Sequence, residues 1–279
     1  MSPPCTAHSA PQGLESKLNS VKAMLAGCGK VLVAFSGGVD STLLAKLARE
    51  VLGKAKALAV TADSPSLARE DLEEARRLAR QLDLDHLVIA THEVEHPSYR
   101  ANTEARCYFC KHELFEELEE LARARQIPMV LYGAIGDDRL SARPGGLAAL
   151  KFGVRAPLQE AGIKKWEIRE LARSLGLPNW DRPQNAYLAS RIPHGIEVTE
   201  QKLRQVEAAE TCVRAHGFRQ VRVRHRGAHA RLEVGIDELP KLVDGELRNR
   251  IVAALQGCGF SVVEFDPRGY RSSQTVRRL

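Results

Sequence analysis

Apolar residues along this chain follow two rhythms. Short unbroken runs, Val31-Leu32-Val33-Ala34-Phe35 and Ala57-Leu58-Ala59-Val60-Thr61-Ala62, read as buried strands. Similar runs at 86–90 and 129–133 give a third and a fourth. Between them, apolar residues return every three or four positions, which is the stripe of a helix. Leu14, Leu18, Val21 and Leu25 mark one helix over 14–28, and Leu67, Leu72, Ala75 and Leu78 another over 66–82. Residues 42–48 and 108–126 follow the same rule. Strands alternating with helices predict an α/β fold with a doubly wound parallel sheet.

The rhythm changes after residue 139. Arg143-Pro144-Gly145-Gly146 and Arg155-Ala156-Pro157-Leu158 read as turns, 165–175 as a helix and 179–195 as loop. From residue 199 the order is helix (199–216), strand (219–225), strand (230–234), helical residues (237–257) and strand (260–265). That pattern predicts a smaller α+β domain with an antiparallel sheet. The expected division is a loose tail over 1–13, a first domain over 14–195 and a second over 196–279.

Composition narrows the function classes. The 279 residues are 44% hydrophobic and 27% charged, the profile of a soluble globular chain. Aromatics are only 5%, too few for stacking platforms on single-stranded nucleic acid. The net charge of +6 favours small anions such as nucleotides and is too weak to imply nucleic acid. No apolar run is long enough to span a bilayer, and the first residues lack a secretory pattern, so a cytoplasmic protein without membrane partners is expected. Six cysteines in such a chain read as thiols or ligands rather than a disulfide framework.

Chemistry concentrates where the first strand meets its helix. Ser36-Gly37-Gly38-Val39-Asp40-Ser41 forms a strand–turn–helix junction. Gly37 and Gly38 let the backbone approach a phosphate, and the helix start offers N–H groups and a positive dipole end. Ser36 and Ser41 add hydroxyls, and Asp40 can hold Mg²⁺. Residues 61–64, including Ala62, and 133–138 end strands at the same sheet edge, where such folds bind ligands. The Asp137-Asp138 pair is a further Mg²⁺ candidate, or simply a capped loop.

The junction lacks the lysine of a Walker loop and resembles the SGGxDS loop of the PP-loop ATP pyrophosphatases, which cut ATP between the α and β phosphates. With Arg106-Cys107-Tyr108-Phe109-Cys110-Lys111, Ser141-Ala142-Arg143-Pro144-Gly145, Ala189-Ser190-Arg191-Ile192-Pro193-His194-Gly195 and Val221-Arg222-Val223-Arg224, the chain resembles the LarE family of ATP-dependent sulfur transferases. That resemblance implies adenylylation of a carboxylate on a pyridinium mononucleotide and its conversion to a thiocarboxylate for the nickel-pincer cofactor. It implies ATP and Mg²⁺ at Ser36, Gly37, Gly38, Asp40, Ser41 and Ala62. It places Ser190, Arg191 and Glu210 near the substrate and matches Arg222 and Arg224 to its phosphate. Strand alternation puts Arg222, Arg224 and Arg226 on one face, which from charge alone also suits a solvated surface. The resemblance further implies a homo-oligomer.

The cysteines set the sulfur chemistry. The family uses either one sacrificial cysteine before the Ser-Arg pair or three cysteines holding an iron–sulfur cluster. This chain has Cys107 and Cys110, but Ala186 and Tyr187 stand where the other cysteine is expected. Cys107 and Cys110 can carry a persulfide, ligate a [4Fe-4S] cluster completed by another residue, or be a vestige. Cys28, Cys212 and Cys258 lie in helical patterns and read as structural. Rival readings are a tRNA-thiolating or amide-forming enzyme on the same loop, and a non-catalytic relative that binds an adenine nucleotide.

Overall fold

The computed structural model describes residues 12–137, 144–183 and 185–270. The expected tail up to residue 11, Asp138 and the stretch 141–143 lie outside them. The chain divides into two compact units. One comprises Met1–Asp63, Arg69–Thr91 and Cys107–Arg182, and the other Ser64–Ala68, His92–Arg106 and Pro183–Leu279.

In the first unit, α1 (Gln12–Ala26), β1 (Val31–Ala34), α2 (Val39–Leu52), β2 (Ala57–Asp63), α3 (Arg69–Gln81) and β3 (Asp85–Ala90) alternate as the pattern predicts. The short α4 (Pro97–Arg100) belongs to the second unit, and α5 (Arg106–Ala124) and β4 (Met129–Tyr132) return to the first. The four strands are all parallel, in the order β3-β2-β1-β4. Alternate residues of β1 feed two separate cores. Val31 and Val33 pack with Leu43, Leu44 and Leu47 of α2, while Leu32 packs with Phe115 and Leu118 of α5. Burial on both faces is why the strand is an unbroken apolar run.

Three helices complete this unit: α6 (Pro144–Lys151), α7 (Pro157–Glu160) and α8 (Lys165–Ser174). The turn expected at 143–146 instead opens α6. Proline suits a first helical position, and buried Ala148 and Ala149 anchor the helix in the α5 core. The helix expected from residue 66 begins at Arg69, because 64–68 belong to the other unit.

The second unit holds α9 (Glu200–Ala215), β5 (Val221–Arg226), β6 (His229–Val234), α10 (Gly245–Gly257) and β7 (Val262–Phe265). Val221, Val223, Leu232 and Val234 pack against Val213 of α9 and Ile251 and Leu255 of α10. β5 and β6 pair antiparallel, but β6 and β7 pair parallel, so the sheet is mixed rather than antiparallel. The helical segment between β6 and β7 carries the chain back across the sheet, and such a crossover joins parallel neighbours. The helical stretch expected over 237–257 splits at Asp244, whose carboxylate accepts from the N–H groups of Glu246 and Leu247 and starts α10.

Candidate functional site

The strand order has a consequence for the Ser-Gly-Gly loop. From β1 the chain moves outward through β2 and β3, then returns to place β4 on the other side of β1. The crevice beyond the carboxyl ends of β1 and β4 is therefore a topological switch point, the usual ligand position in such sheets. The loop leaves β1 there. Gly37 has φ +69°, and a Cβ on it would stand 3.1 Å from the Cα of Ala75 in α3. Gly38 is the N-cap of α2. The Ser41 hydroxyl donates to the Gly38 carbonyl (3.0 Å), accepts from the Ser36 N–H (3.2 Å) and lies 3.1 Å from the Ser36 hydroxyl. The two serines thus tie the loop to the first turn of α2.

At the end of β4, a Cβ on Gly133 would stand 2.9 Å from the Ser41 nitrogen. Only glycine lets the β4 end close on the start of α2 without a shift. Ala62, half-buried near the end of β2, neighbours Thr61, whose hydroxyl donates to the Phe35 carbonyl (2.7 Å). Asp40 is met by a cation that no motif signals. Both its carboxylate oxygens accept from Lys165 Nζ, at 2.6 and 2.7 Å. Lys165 also donates its backbone N–H to Asp137 (2.9 Å). Nothing local marks this lysine, which opens α8 some 125 residues downstream of Asp40.

Mg²⁺ fits here in a limited way. It is commonly held by one or two carboxylates with phosphate oxygens completing its shell, and Asp40 and Asp137 supply such carboxylates around Lys165. The cysteine pair is different. Cys107 is exposed and Cys110 half-buried, one turn apart at the start of α5. Among the described residues no three His, Cys, Asp or Glu are grouped to hold a metal, and Ala186 is exposed in its loop. Two thiols without a third ligand do not fit a [4Fe-4S] cluster.

A second set of functional candidates lies within the other unit. The turn Leu188–Arg191 points Arg191 inward, where it is 1% exposed. Its guanidinium donates to Glu210 through Nε (2.8 Å) and Nη2 (3.1 Å), and to the Ser190 hydroxyl through Nη1 (3.1 Å). Glu210, on α9, also accepts from Arg214 (3.0 Å) and from the Val223 N–H of β5 (3.1 Å). The structure therefore brings Ser190, Arg191 and Glu210 together.

The two strand arginines part company. Arg222 is buried, bonded to Asn185, with its guanidinium 4.9 Å above the Tyr270 ring. Arg224 donates to the Ser190 carbonyl (3.0 Å), pairs with Glu233 and faces a cavity of about 180 Å³. Arg191, Arg226, Arg231 and Arg268 line the same cavity, so five arginines and two acidic residues, Glu233 and Asp266, surround it. Arg231 pairs with Asp266 (2.6 Å), yet its buried Nε has no hydrogen-bond partner among the described residues. Asp266 is itself half of this balance. Burial alone pushes its carboxyl up, but hydrogen bonds from the Arg268 N–H and the Arg268 and Arg231 side chains hold it down at about 2. Strand alternation signals Arg226. Nothing in the sequence marks Arg231 or Arg268, because antiparallel pairing and the turn after β7 bring them in.

A family profile described as NAD synthase matches residues 13–136. A Lactiplantibacillus plantarum protein, pyridinium-3,5-bisthiocarboxylic acid mononucleotide synthase, is 35% identical over 94% of each chain. An uncharacterized protein of Synechocystis is 43% identical over 95% of this chain and 99% of its own. One of the subunits of the glutamine-hydrolysing GMP synthase of Methanocella arvoryzae is 26% identical over 67% of this chain and 64% of that one.

Proposed function

The chain belongs to the LarE family, that of the pyridinium-3,5-bisthiocarboxylic acid mononucleotide synthase, and on that premise we propose that it uses ATP to turn a carboxylate of a pyridinium mononucleotide into a thiocarboxylate for nickel-pincer cofactor synthesis. The observation that carries the reading is the coexistence in one chain of the Ser-Gly-Gly junction at the switch point and the arginine-lined cavity. The NAD synthase profile covers residues 13–136, and residues 183–270 lie beyond that match.

A carboxylate is a poor electrophile, since its leaving group would be oxide. Attack of its oxygen on the α-phosphorus of ATP expels pyrophosphate and leaves an acyl-adenylate. In this reading the N–H groups at the start of α2 and the Lys165 ammonium stabilise the charge on the departing pyrophosphate. Asp40 and Asp137 are the residues that would hold Mg²⁺, which supplies Lewis-acid neutralisation of the phosphates. Arg191, fixed by Glu210, and Ser190 orient the substrate. Arg224, with Arg226, Arg231 and Arg268, receives its phosphate. Arg222, locked by Asn185 and Tyr270, supports the strand beside it.

Cys107 and Cys110 carry the sulfur step. A sulfane-sulfur donor loads Cys107 as a persulfide. Its terminal sulfur attacks the acyl carbon and AMP leaves. The Cys110 thiolate then attacks Cys107 Sγ, the S–S bond to the acyl sulfur breaks, and the thiocarboxylate departs. The Cys107–Cys110 disulfide is reopened by a thiol reductant. The protein is proposed to be a cytoplasmic homo-oligomer, which sedimentation of the purified chain and cell fractionation test. No described helix is long and apolar enough to cross a membrane.

The test is incubation with ATP, Mg²⁺, a polysulfide and pyridinium-3,5-biscarboxylic acid mononucleotide under anaerobic conditions. AMP, pyrophosphate and a product with one oxygen exchanged for sulfur are expected. Release of ADP and phosphate overturns the proposal.

A further inference from the structure

Within the loop the Gly38 N–H makes one long hydrogen bond, to the Ser36 hydroxyl (3.4 Å), too weak to fix the Gly37-Gly38 peptide by itself. Glycine on both sides permits either sign of φ, so this peptide unit can turn over with little steric opposition. In one orientation the Gly38 N–H faces the loop's anion position, and in the other a carbonyl oxygen does. A carbonyl there repels a phosphate. The loop binds an anion only if something holds the peptide.

Asn179 does so. It lies beyond α8, far from the loop in sequence, and is 2% exposed. Its Nδ2 donates to the Gly37 carbonyl (2.9 Å) and contacts Thr42 Oγ1 of α2 (3.0 Å). A carbonyl only accepts, so the atom facing it must be the amide nitrogen. The peptide is trans, so a carbonyl directed at Asn179 turns the Gly38 N–H the other way. The amide oxygen Oδ1 is buried with no hydrogen-bond partner among the described residues. Leaving it so is a destabilising choice, and a residue selected for packing alone would lack that oxygen.

We infer that Asn179 is a positioning residue for pyrophosphate, locking the Gly37-Gly38 peptide so that its N–H serves the anion. The inference rests on the ATP reading of the loop and adds a residue that no motif contains. It makes a distinction that general destabilisation does not. AMP lacks the β and γ phosphates, so its binding does not draw on this N–H, whereas pyrophosphate binding does.

The test titrates the full chain with Mg²⁺-pyrophosphate and with AMP by calorimetry. Asn179→Asp keeps the size but puts a non-donating carboxylate against the carbonyl. Asn179→Ala removes the donor without adding charge, and serves if the aspartate variant does not fold. Pyrophosphate affinity is expected to fall about tenfold or more, with AMP affinity within about twofold of wild type. Equal losses for both ligands, or pyrophosphate affinity within about twofold of wild type, overturn the inference while leaving the loop reading intact. A wild-type chain that binds neither ATP nor pyrophosphate overturns both.

Discussion

Lys165 and Asp40 form a two-pronged ion pair, with Nζ at 2.6 and 2.7 Å from the two carboxylate oxygens. The pair joins the first turn of α2 to the first turn of α8, and both side chains are largely shielded. A carboxylate at the loop proposed to hold ATP would repel the phosphates unless a cation accompanied it. Lys165 supplies that cation within the fold. Lys165→Met is therefore expected to lower kcat for pyrophosphate release by about 10²–10³-fold, the usual loss on removing one stabilising donor. Mononucleotide KM should change little. A coupled pyrophosphate assay measures both, and an unchanged kcat sinks the assignment.

The Arg191–Glu210 pair carries a stability prediction. Each side chain is 1% exposed, and Glu210 also balances Arg214. Removing the carboxylate leaves Arg191 without its counter-charge in the interior, which typically costs about 3–5 kcal/mol. Glu210→Gln should therefore accelerate amide hydrogen exchange over 200–226 far more than the double variant Arg191→Met/Glu210→Leu, which removes both charges. Equal exchange in the two variants would show that the pair is not electrostatically coupled.

The legible parts of this fold are those whose signal is local. The Ser-Gly-Gly junction occupies six consecutive residues, and β1 declares itself because Val31 and Leu32 enter opposite cores. Lys165 was invisible because a lysine opening a helix is ordinary and its partner lies 125 residues away. The arginine cavity was half visible. Alternation groups Arg222, Arg224 and Arg226, but only the folded chain shows Arg222 stacked over Tyr270 while Arg231 and Arg268 join Arg224. Helix α6 hid behind Pro144-Gly145-Gly146, where turn-forming residues outweighed the packing of Ala148 and Ala149.

Acid sensitivity should arise at His225 on β5. Burial first, and then the Lys202 charge, push its imidazole below the ordinary value of 6.5. It lies against the Phe260 ring and its Nε2 is 3.0 Å from Gln205 Oε1. With the folded pKa below the unfolded one, the unfolded chain binds more protons as pH falls through 6.5. Stability from this group is thus complete above that pH and declines below it. Urea denaturation followed by hydrogen exchange at β5 should show a lower midpoint at pH 5.5 than at pH 7.5, and His225→Gln should flatten the difference. A slope unchanged in that variant would assign the effect elsewhere.

The two cysteine pairs should separate by reactivity. Cys212 and Cys258 have their sulfurs 3.8 Å apart, and burial, followed by the hydrogen bond and charge of Cys212, pushes the Cys258 thiol up to about 11. At pH 8 its thiolate fraction is on the order of 10⁻³, and only the thiolate reacts. Cys107 is exposed at the start of α5. Iodoacetamide at pH 8 is therefore expected to modify Cys107 well before Cys258, as read by peptide mass spectrometry. Raising the pH should speed Cys258 labelling by about tenfold per unit until its pKa is reached. The same experiment bears on sulfur transfer. After polysulfide treatment, alkylated peptides should carry the extra sulfur at Cys107, while Cys258 stays largely unloaded because so little of its thiol is ionised at pH 8. Sulfane sulfur found on Cys212 or Cys258 instead would move sulfur handling to the second unit and leave Cys107 and Cys110 without their proposed role.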